Sequence, residues 1–436
     1  MKAFINARIY DYDTYIDHGY IVCDDQIQAI GPMTEFTNEH YDIYDVKGAL
    51  IIPSFVIGHT HIYSTFARGL IMPFQPTNFQ DILDQLWWKL DRELDNKATF
   101  YSGVVHAVEM IKNGVTTVID HHASGKDIKG SLEALKHSVC DTVGMRGIFA
   151  FEVSDRFDVE RAIKENVSFI KSHHNHDVSG LFGLHASMSL SEATLKKVKT
   201  HLQGAPIHIH VAESEMDQDD AITRYNERVI ERLDRHELLT KDSIITHGLY
   251  LNADEVAILK HRECVVALNP SSNMNNGVGL PIYKTLKHAG IPVILGNDGL
   301  STGITYEYLT MMYAMRLKSM DPNAFTLEDI QSIIEDTYQY VSRRFNVKIG
   351  KFKKGYQADL QVVPYEPATP VDASNILGHM FYGLFHQFNP MHVVKDGQFL
   401  VKDYHVSHAL MMLYKEAAPV AKMLWKRLKK EGNTHA

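Results

Sequence analysis

Cysteine and long apolar runs are scarce in this chain of 436 residues, and each scarcity excludes a class of protein. The three cysteines, Cys23, Cys140 and Cys264, lie far apart in apolar segments. They cannot make a disulfide framework, and we expect them to be reduced. No stretch reaches the roughly 18 apolar residues of a membrane helix. The N-terminal segment also lacks the apolar core of a signal peptide, so we expect a cytoplasmic protein with no membrane partner.

Positive charge is also limited, with 44 Lys and Arg against 53 Asp and Glu and a net charge of −9. Nucleic-acid binding needs a basic stripe. The one basic segment holds Lys426, Arg427, Lys429 and Lys430. It fits the negative end of a helix dipole, so we expect no nucleic-acid partner.

Between residues 55 and 347, short apolar runs alternate with helix-length amphipathic segments. Eight βα units predict an α/β fold of the TIM type, a (β/α)8 barrel with its active site at the carboxyl ends of the strands. The runs cover residues 49–58, 115–120, 146–153, 180–186, 206–212, 243–249, 265–269 and 292–298.

Strand patterns return at both ends of the chain. Residues 1–54 and 348–406 predict one small β-sandwich domain assembled from both termini. Residues 407–436 are amphipathic and predict a C-terminal helix.

His59 and His61 end the first apolar run. Residues i and i+2 of a strand lie on one side, so two imidazoles would leave this strand end together. A chain with 25 histidines contains such pairs by chance. Two others occur, His174/His176 and His208/His210, and the first of these is expected at a solvated helix end.

Residues suited to metal binding collect at the ends of the predicted strands. Three imidazoles and a carboxylate suit one divalent transition metal, with zinc favoured and iron(II) as the alternative. The predicted ligands are His59, His61, His210 and Asp298. A bound ion would lower the pKa of its water toward about 7.

Hydrolysis also requires proton transfer, and Glu213, His247 and Asp298 are the catalytic candidates. Glu213 follows His210 by three residues and can carry a proton from water to a leaving nitrogen. His247 can donate a hydrogen bond to the water or to a developing anion. Taken singly, each of these residues is more often a hydrogen-bonded core residue.

Other polar residues near strand ends are candidates for contact with substrate. These are His185, Arg68, His122 and Glu152, although Arg68 fits a surface arginine equally well. His208 is expected to be a buried partner of a ligand. The segment 267–276 is expected to have a structural role.

With these residues assembled, the chain resembles the amidohydrolase superfamily over nearly its whole length, and within it the branch of cytosine deaminase and triazine hydrolase. The motifs that carry the resemblance are Pro53-x-Phe-x-x-x-His-Thr-His61, His210-x-x-Glu213, Thr246-His-Gly248, Asn269-Pro-x-Ser-Asn273, Asn297-Asp-Gly299 and Gly355-x-x-Ala-Asp-Leu360.

Further segments resemble the SsnA family of aminohydrolases. They include His61-Ile-Tyr-Ser-Thr-Phe-Ala-Arg-Gly69, Leu86-Trp-Trp-Lys-Leu-Asp-Arg92, Val118-Ile-Asp-His-His-Ala-Ser124 and Asn375-Ile-Leu-Gly-His379. Binuclear amidohydrolases carry a lysine at the end of the fourth strand, whereas residues 181–189 contain none. The resemblance therefore implies one metal ion, and it implies a homo-oligomer, expected to be a dimer.

These features together predict a metal-dependent aminohydrolase that replaces an amino group on a purine, pyrimidine or triazine type of heterocycle and releases ammonia. Opening of a cyclic amide or displacement of chloride by the same site is the alternative among enzymes. A catalytically silent metal-binding barrel is the alternative outside enzymes.

Overall fold

A computed structural model of the chain describes residues 1–434, with the side chains of residues 1–429. The strands, in chain order, are β1 (Lys2–Tyr10), β2 (Tyr15–Cys23), β3 (Ile27–Pro32), β4 (Asp42–Asp45), β5 (Leu50–Pro53), β6 (Phe55–Thr60), β7 (Val115–His122), β8 (Arg146–Phe151), β9 (Val178–Gly180), β10 (Phe182–Ala186), β11 (Ile207–Val211), β12 (Ile244–His247), β13 (Val265–Leu268), β14 (Val293–Leu295), β15 (Leu360–Val363), β16 (His392–Lys395) and β17 (Gln398–Val401).

Most of the α-helices follow barrel strands, and two lie in the C-terminal part of the chain. They are α1 (Phe79–Ile82), α2 (Trp88–Arg92), α3 (Asn96–Lys112), α4 (Ser131–Lys136), α5 (Val159–Ser172), α6 (Glu192–Leu202), α7 (Glu215–Tyr225), α8 (Val229–Arg235), α9 (Ala253–His261), α10 (Pro270–Asn275), α11 (Tyr283–Ala289), α12 (Ile304–Ser319), α13 (Leu327–Phe345), α14 (Ile376–His379) and α15 (His408–Thr434).

Eight parallel strands form the predicted barrel. Strands β6, β7 and β8 pair in that order, and β10 to β14 pair consecutively. The two groups meet where the Val153 N–H donates to the Gly183 carbonyl at 3.1 Å. At the other seam, the Asn297 N–H donates to the His59 carbonyl at 3.0 Å. The fold class is therefore confirmed as a (β/α)8 barrel.

The terminal strands form a second sheet in the order β17-β16-β15-β5-β1-β2-β3, with β4 also paired to β1. Strands from both ends of the chain are neighbours in it, as predicted, because β15 pairs antiparallel with β5. Its own apolar core includes Phe4, Ile51, Leu360 and Val394. This sheet is a separate layer beside the barrel.

The first apolar run, predicted as one strand over residues 49–58, is two strands divided at Ser54. β5 lies in the terminal sheet, whereas β6 begins the barrel. The Ser54 N–H donates to the Asp359 carbonyl at 3.1 Å, and its hydroxyl donates to the Val394 carbonyl at 3.3 Å. Residues on both sides are buried, so hydrophobicity alone does not show the change of sheet.

The C-terminal helix α15 packs against α3 and the segment after β6. The indole N–H of Trp425 donates to the Phe66 carbonyl at 2.7 Å. Residues 435 and 436 of the predicted helix, and the side chain of Lys430, lie outside the described residues. Within residues 1–434, no helix is long and apolar enough to cross a membrane.

Candidate active site

The ends of the first, fifth and eighth barrel strands bring the four predicted metal ligands together. Nε2 of His61 lies 3.1 Å from Nε2 of His210 and 3.0 Å from Oδ1 of Asp298. Nε2 of His59 lies 3.1 Å from the same Asp298 oxygen. His59 and Asp298 are 239 positions apart in the sequence, so only the barrel explains their contact.

Hydrogen bonds to the far side of the imidazoles fix their orientation. Nδ1–H of His61 donates to the His121 carbonyl at 2.7 Å, and Nδ1–H of His210 donates to the His185 carbonyl at 3.0 Å. A carbonyl only accepts, so each Nδ1 carries the hydrogen and each Nε2 presents a lone pair. In the neutral rings two lone pairs therefore face one another across 3.1 Å, and a proton on His61 or a metal cation relieves the repulsion.

This arrangement fits a divalent metal ion. Donor atoms bound at about 2.0–2.1 Å in a tetrahedral zinc site lie about 3.3 Å from one another. Facing lone pairs repel unless a cation lies between them. Two overlapping sets of donor atoms lie within 4.8 Å of one another: those of His59, His210, His247 and Asp298, and those of His61, His121 and His210. These six residues, called the metal-suited group below, are thus suited to a metal.

Burial and the Asp298 carboxylate determine which of the site histidines carries a proton on both ring nitrogens. Burial lowers the pKa of His59 to about 4 and that of His210 well below its usual value. Burial opposes the ionisation of Asp298, but hydrogen bonds to His59 and His61 hold its pKa well below the ordinary range. For His61, the same carboxylate overcomes burial and raises the pKa to about 9. The ionised Asp298 carboxylate therefore favours one positive charge beside it, on His61 or on a bound cation.

Two of the site residues lie in left-handed backbone conformations just where their strands end. His247 has a φ of 71° and Asp298 a φ of 53°. Such conformations are unfavourable for residues other than glycine and cluster at functional sites. Here they turn both side chains back over the barrel mouth. The predicted eighth strand, 292–298, accordingly ends early, at Leu295.

Glu213 lies beside the metal-suited group, next to its member His247. Oε2 of Glu213 is 3.4 Å from Nε2 of His247. Burial raises the pKa of Glu213 well above its usual value, and the Asp298 charge adds to the effect. Burial lowers the pKa of His247 to about 4. A carboxyl that holds a proton readily thus faces a neutral imidazole.

Helix α10 and its C-cap residue Asn276 supply hydrogen bonds to all three catalytic candidates. The Ser272 hydroxyl donates to Oδ2 of Asp298 at 2.6 Å, and the Asn276 amide donates to Oε1 of Glu213 at 3.3 Å. The Asn273 amide donates to Nδ1 of His247 at 2.9 Å, which leaves the hydrogen of that ring on Nε2. His247 is therefore a hydrogen-bond donor toward the site.

Sequence reasoning missed these contacts because segment 267–276 was expected to have only a structural role. The available signal was its position directly after the seventh barrel strand, where hydroxyl and amide side chains follow one another.

A cavity opens above the metal-suited group. Two predicted substrate residues, His185 and Glu152, line it, as do Trp88 and Asp91, which the sequence did not indicate. Nδ1 of His185 is 2.7 Å from the Ser189 hydroxyl. The remaining wall includes His61, Tyr63, Phe79, Leu83, His210, Glu213 and Asp298.

Arg68 and His122 are placed elsewhere. The Arg68 guanidinium donates to Glu109 at 2.6 Å and lines a separate surface groove. The buried His122 ring packs against Tyr63 and Phe151, with ring centres 5.9 and 6.0 Å apart. Neither is among the described residues that line the cavity above the metal-suited group.

A sequence model of the amidohydrolase family matches residues 50–400. The chain belongs to this family. The match spans the barrel and the returning strands β15 and β16.

Two relatives of this amidohydrolase are similar over nearly its whole length. A 5-methylthioadenosine/S-adenosylhomocysteine deaminase from Thermococcus sibiricus is 27% identical over 386 residues, which cover 86% of this chain and 87% of the relative. A 5'-deoxyadenosine deaminase from Methanosphaera stadtmanae is 27% identical over 394 residues, which cover 88% and 89%.

Solved structures share the fold of this amidohydrolase. An adenosine deaminase from Xanthomonas campestris with bound zinc has a TM-score of 0.82 at 18% identity, over 97% of this chain and 98% of that one. Atrazine chlorohydrolase TrzN from Arthrobacter aurescens TC1, complexed with zinc, has a TM-score of 0.82 at 17% identity, over 97% and 100%.

These findings confirm the predicted superfamily and the predicted enzyme class, a hydrolase that acts on non-peptide C–N bonds. The narrower resemblance to the SsnA family stays a prediction.

Proposed function

We propose that this amidohydrolase replaces an exocyclic amino group of a purine-type heterocycle with oxygen and releases ammonia. The observation that carries the proposal is the position of Glu213. It lies beside the donor atoms of His61, His210 and Asp298 at the floor of the cavity, where a proton must move between water and a leaving nitrogen.

His59, His61, His210 and Asp298 would hold one divalent ion, for which we propose zinc because two proteins of the same fold are solved with it. Iron(II) is the alternative. The ion supplies a water whose pKa is lowered toward about 7.

The chain's own residues move the protons. Glu213 accepts one from the attacking water and delivers it to the leaving nitrogen, so that ammonia departs as the ring carbon keeps the oxygen. Nε2–H of His247 donates a hydrogen bond to that oxygen while its charge develops. Asp298 accepts the second water proton and passes it to the ring nitrogen beside the reacting carbon, so that the carboxylate is regenerated and the product is the lactam. His185 and Glu152 contact the substrate from the cavity wall.

The substrate class rests on the curated relatives, which deaminate 5-methylthioadenosine, S-adenosylhomocysteine or 5'-deoxyadenosine. A cavity with the aromatic rings of Phe79 and Trp88 in its wall suits a flat ring. We propose an aminated purine, and most simply a purine nucleoside. A homodimer in the cytoplasm is part of the same proposal.

The second candidate is displacement of chloride from a triazine, because an atrazine chlorohydrolase shares the fold. The same residues could also open a cyclic amide. A silent metal-binding barrel is disfavoured because Glu213 and Asp298 are both present and adjacent to the donor atoms.

Product analysis separates these candidates. The purified protein is loaded with zinc or iron(II) and incubated with aminopurines, purine nucleosides, aminopyrimidines, chlorotriazines and cyclic amides. Release of ammonia from a purine supports the proposal, whereas chloride or acid release assigns the second candidates. If no aminated heterocycle yields ammonia with either metal, deamination is the wrong function.

A further inference from the structure

One wall of the cavity carries two carboxylates that share a single guanidinium. Arg156 Nη2 lies 3.0 Å from Oδ2 of Asp91 and also pairs with Oε1 of Glu152. The Arg156 guanidinium is held between the rings of Trp88 and Phe157, with its carbon 4.7 Å from each ring centre. Its position is therefore fixed by packing as well as by charge.

Of these three charged residues, the two acidic ones line the cavity. Asp91 and Glu152 belong to the cavity lining, whereas Arg156 is not among the described lining residues. Arg156 already donates to both carboxylates through Nη1 and Nη2, and its Nε–H has no hydrogen-bond partner among the described residues.

Asp91 lines the cavity and has one unused acceptor, the buried oxygen Oδ1. The residue is only 1% exposed. Among the residues that the structure describes, none donates a hydrogen bond to its Oδ1. A buried carboxylate oxygen without a partner is costly, and a donor on a bound molecule would satisfy it.

The group carries a net negative charge at neutral pH. Burial raises the pKa of Asp91 to about 6, and Arg156 outweighs burial to lower that of Glu152 to about 2. Two carboxylates against one guanidinium leave one charge to be balanced.

On the basis of the proposed aminohydrolase function, we propose that Asp91 and Glu152 select a substrate with a cationic, N–H-donating group at the end away from the leaving amino group, such as a primary ammonium. The ammonium donates to Oδ1 of Asp91 and balances the remaining charge. A hydroxyl satisfies the oxygen but leaves the charge, and a carboxylate is repelled.

A matched series of nucleosides tests this selection in the zinc-loaded protein. The three compounds are 5'-amino-5'-deoxyadenosine, neutral 5'-deoxyadenosine and adenosine 5'-carboxylate. We expect kcat/KM for ammonia release to fall at least tenfold at each step, in that order. We expect Asp91→Asn and Glu152→Gln each to reduce the preference for the ammonium compound at least fivefold. Asp84→Asn changes an exposed carboxylate of the same segment and should preserve the order.

A binding experiment tests this inference independently of the proposed deamination. The 5'-amino, 5'-unsubstituted and 5'-carboxylate inosines lack the reacting amino group, and their dissociation constants are measured by calorimetry. Tighter binding of the amino compound that Asp91→Asn removes supports the inference even if no substrate is deaminated. Equal affinities, or binding by none of the three, overturn it. Ammonia release at equal rates from all three adenosines also overturns it, although the proposed function then stands.

Discussion

Nδ1 of His59 lies 2.9 Å from Nε2 of His208, so one buried imidazole holds another. His208 is fully buried and precedes His210 by two positions on β11. When Nε2 of His59 turns its lone pair to a metal, its Nδ1–H donates to His208. The residue predicted as a buried partner of a ligand does contact one.

Removal of this partner is expected to weaken metal binding without removing a ligand. For His208→Leu we expect the zinc dissociation constant to rise about 10–100-fold, measured by competition with a chelating dye. His208→Gln keeps an acceptor and should recover part of the affinity. His201→Leu alters an exposed histidine and should have no effect. Unchanged affinity in His208→Leu would show that the contact does not orient His59.

Glu213→Gln tests the proton transfer. We expect retained metal, measured by elemental analysis, and a kcat lower by about 10²–10⁴-fold because the amide cannot accept the proton. Glu215→Gln, two residues later and exposed, is the matched control. A Glu213→Gln protein that turns over normally would remove Glu213 from the mechanism.

Metal removal is expected to lower stability as well as activity. Binding to the folded state alone stabilises a protein by about 2.7 kcal/mol at a ligand concentration of 100 Kd. The chelated protein should therefore melt at a lower temperature, and added zinc should restore Tm. His61→Asn should abolish the zinc-dependent shift. A Tm that is insensitive to zinc in the unaltered protein would contradict a metal held by these residues.

Glu307 is expected to make stability fall as pH rises. It is fully buried, accepts a hydrogen bond from the Ser271 N–H at 3.2 Å and anchors α10. Burial raises its pKa from 4.5 to about 7, although the Ser271 hydrogen bonds oppose this. Between these values the unfolded chain ionises first, so stability present below pH 4.5 is lost up to about pH 7.

The measurement compares Glu307→Gln with the unaltered protein by urea unfolding at pH 4.5, 6 and 8. The free energy of unfolding of the unaltered protein, relative to the variant, should decrease by about 3 kcal/mol over this range. A difference that does not change with pH would mean that folding does not raise the pKa of Glu307.

Sequence reasoning could place the proposed ligands at one end of the barrel because the barrel repeats one local pattern. An apolar run followed by a polar residue marks each strand end, and parallel strands bring these ends to one face. The positions of His59, His210 and Asp298 could be predicted without knowledge of how the helices pack. The same pattern could not reveal the division at Ser54, because both flanking strands are buried.

Residues on irregular segments were harder to predict. Arg68 follows the first barrel strand, but the path of that loop brings its guanidinium to Glu109. Asp91 lies on α2, a five-residue helix with no strand end near it in sequence. Its place in the cavity depends on its contact with Arg156, 65 positions later, and such a long-range contact leaves no periodic signal in the chain.

Because the chain changes sheet at Ser54, the strand that carries His59 is anchored in the terminal sheet, although that sheet contributes none of the proposed ligands. A single residue separates Pro53, in the terminal sheet, from the strand that presents His59. The Gln361 side chain also donates to the Pro53 carbonyl at 3.1 Å. A barrel excised from the terminal sheet would lose the contacts that hold the start of its first strand. The position of His59, which that strand carries, would be the first to be affected.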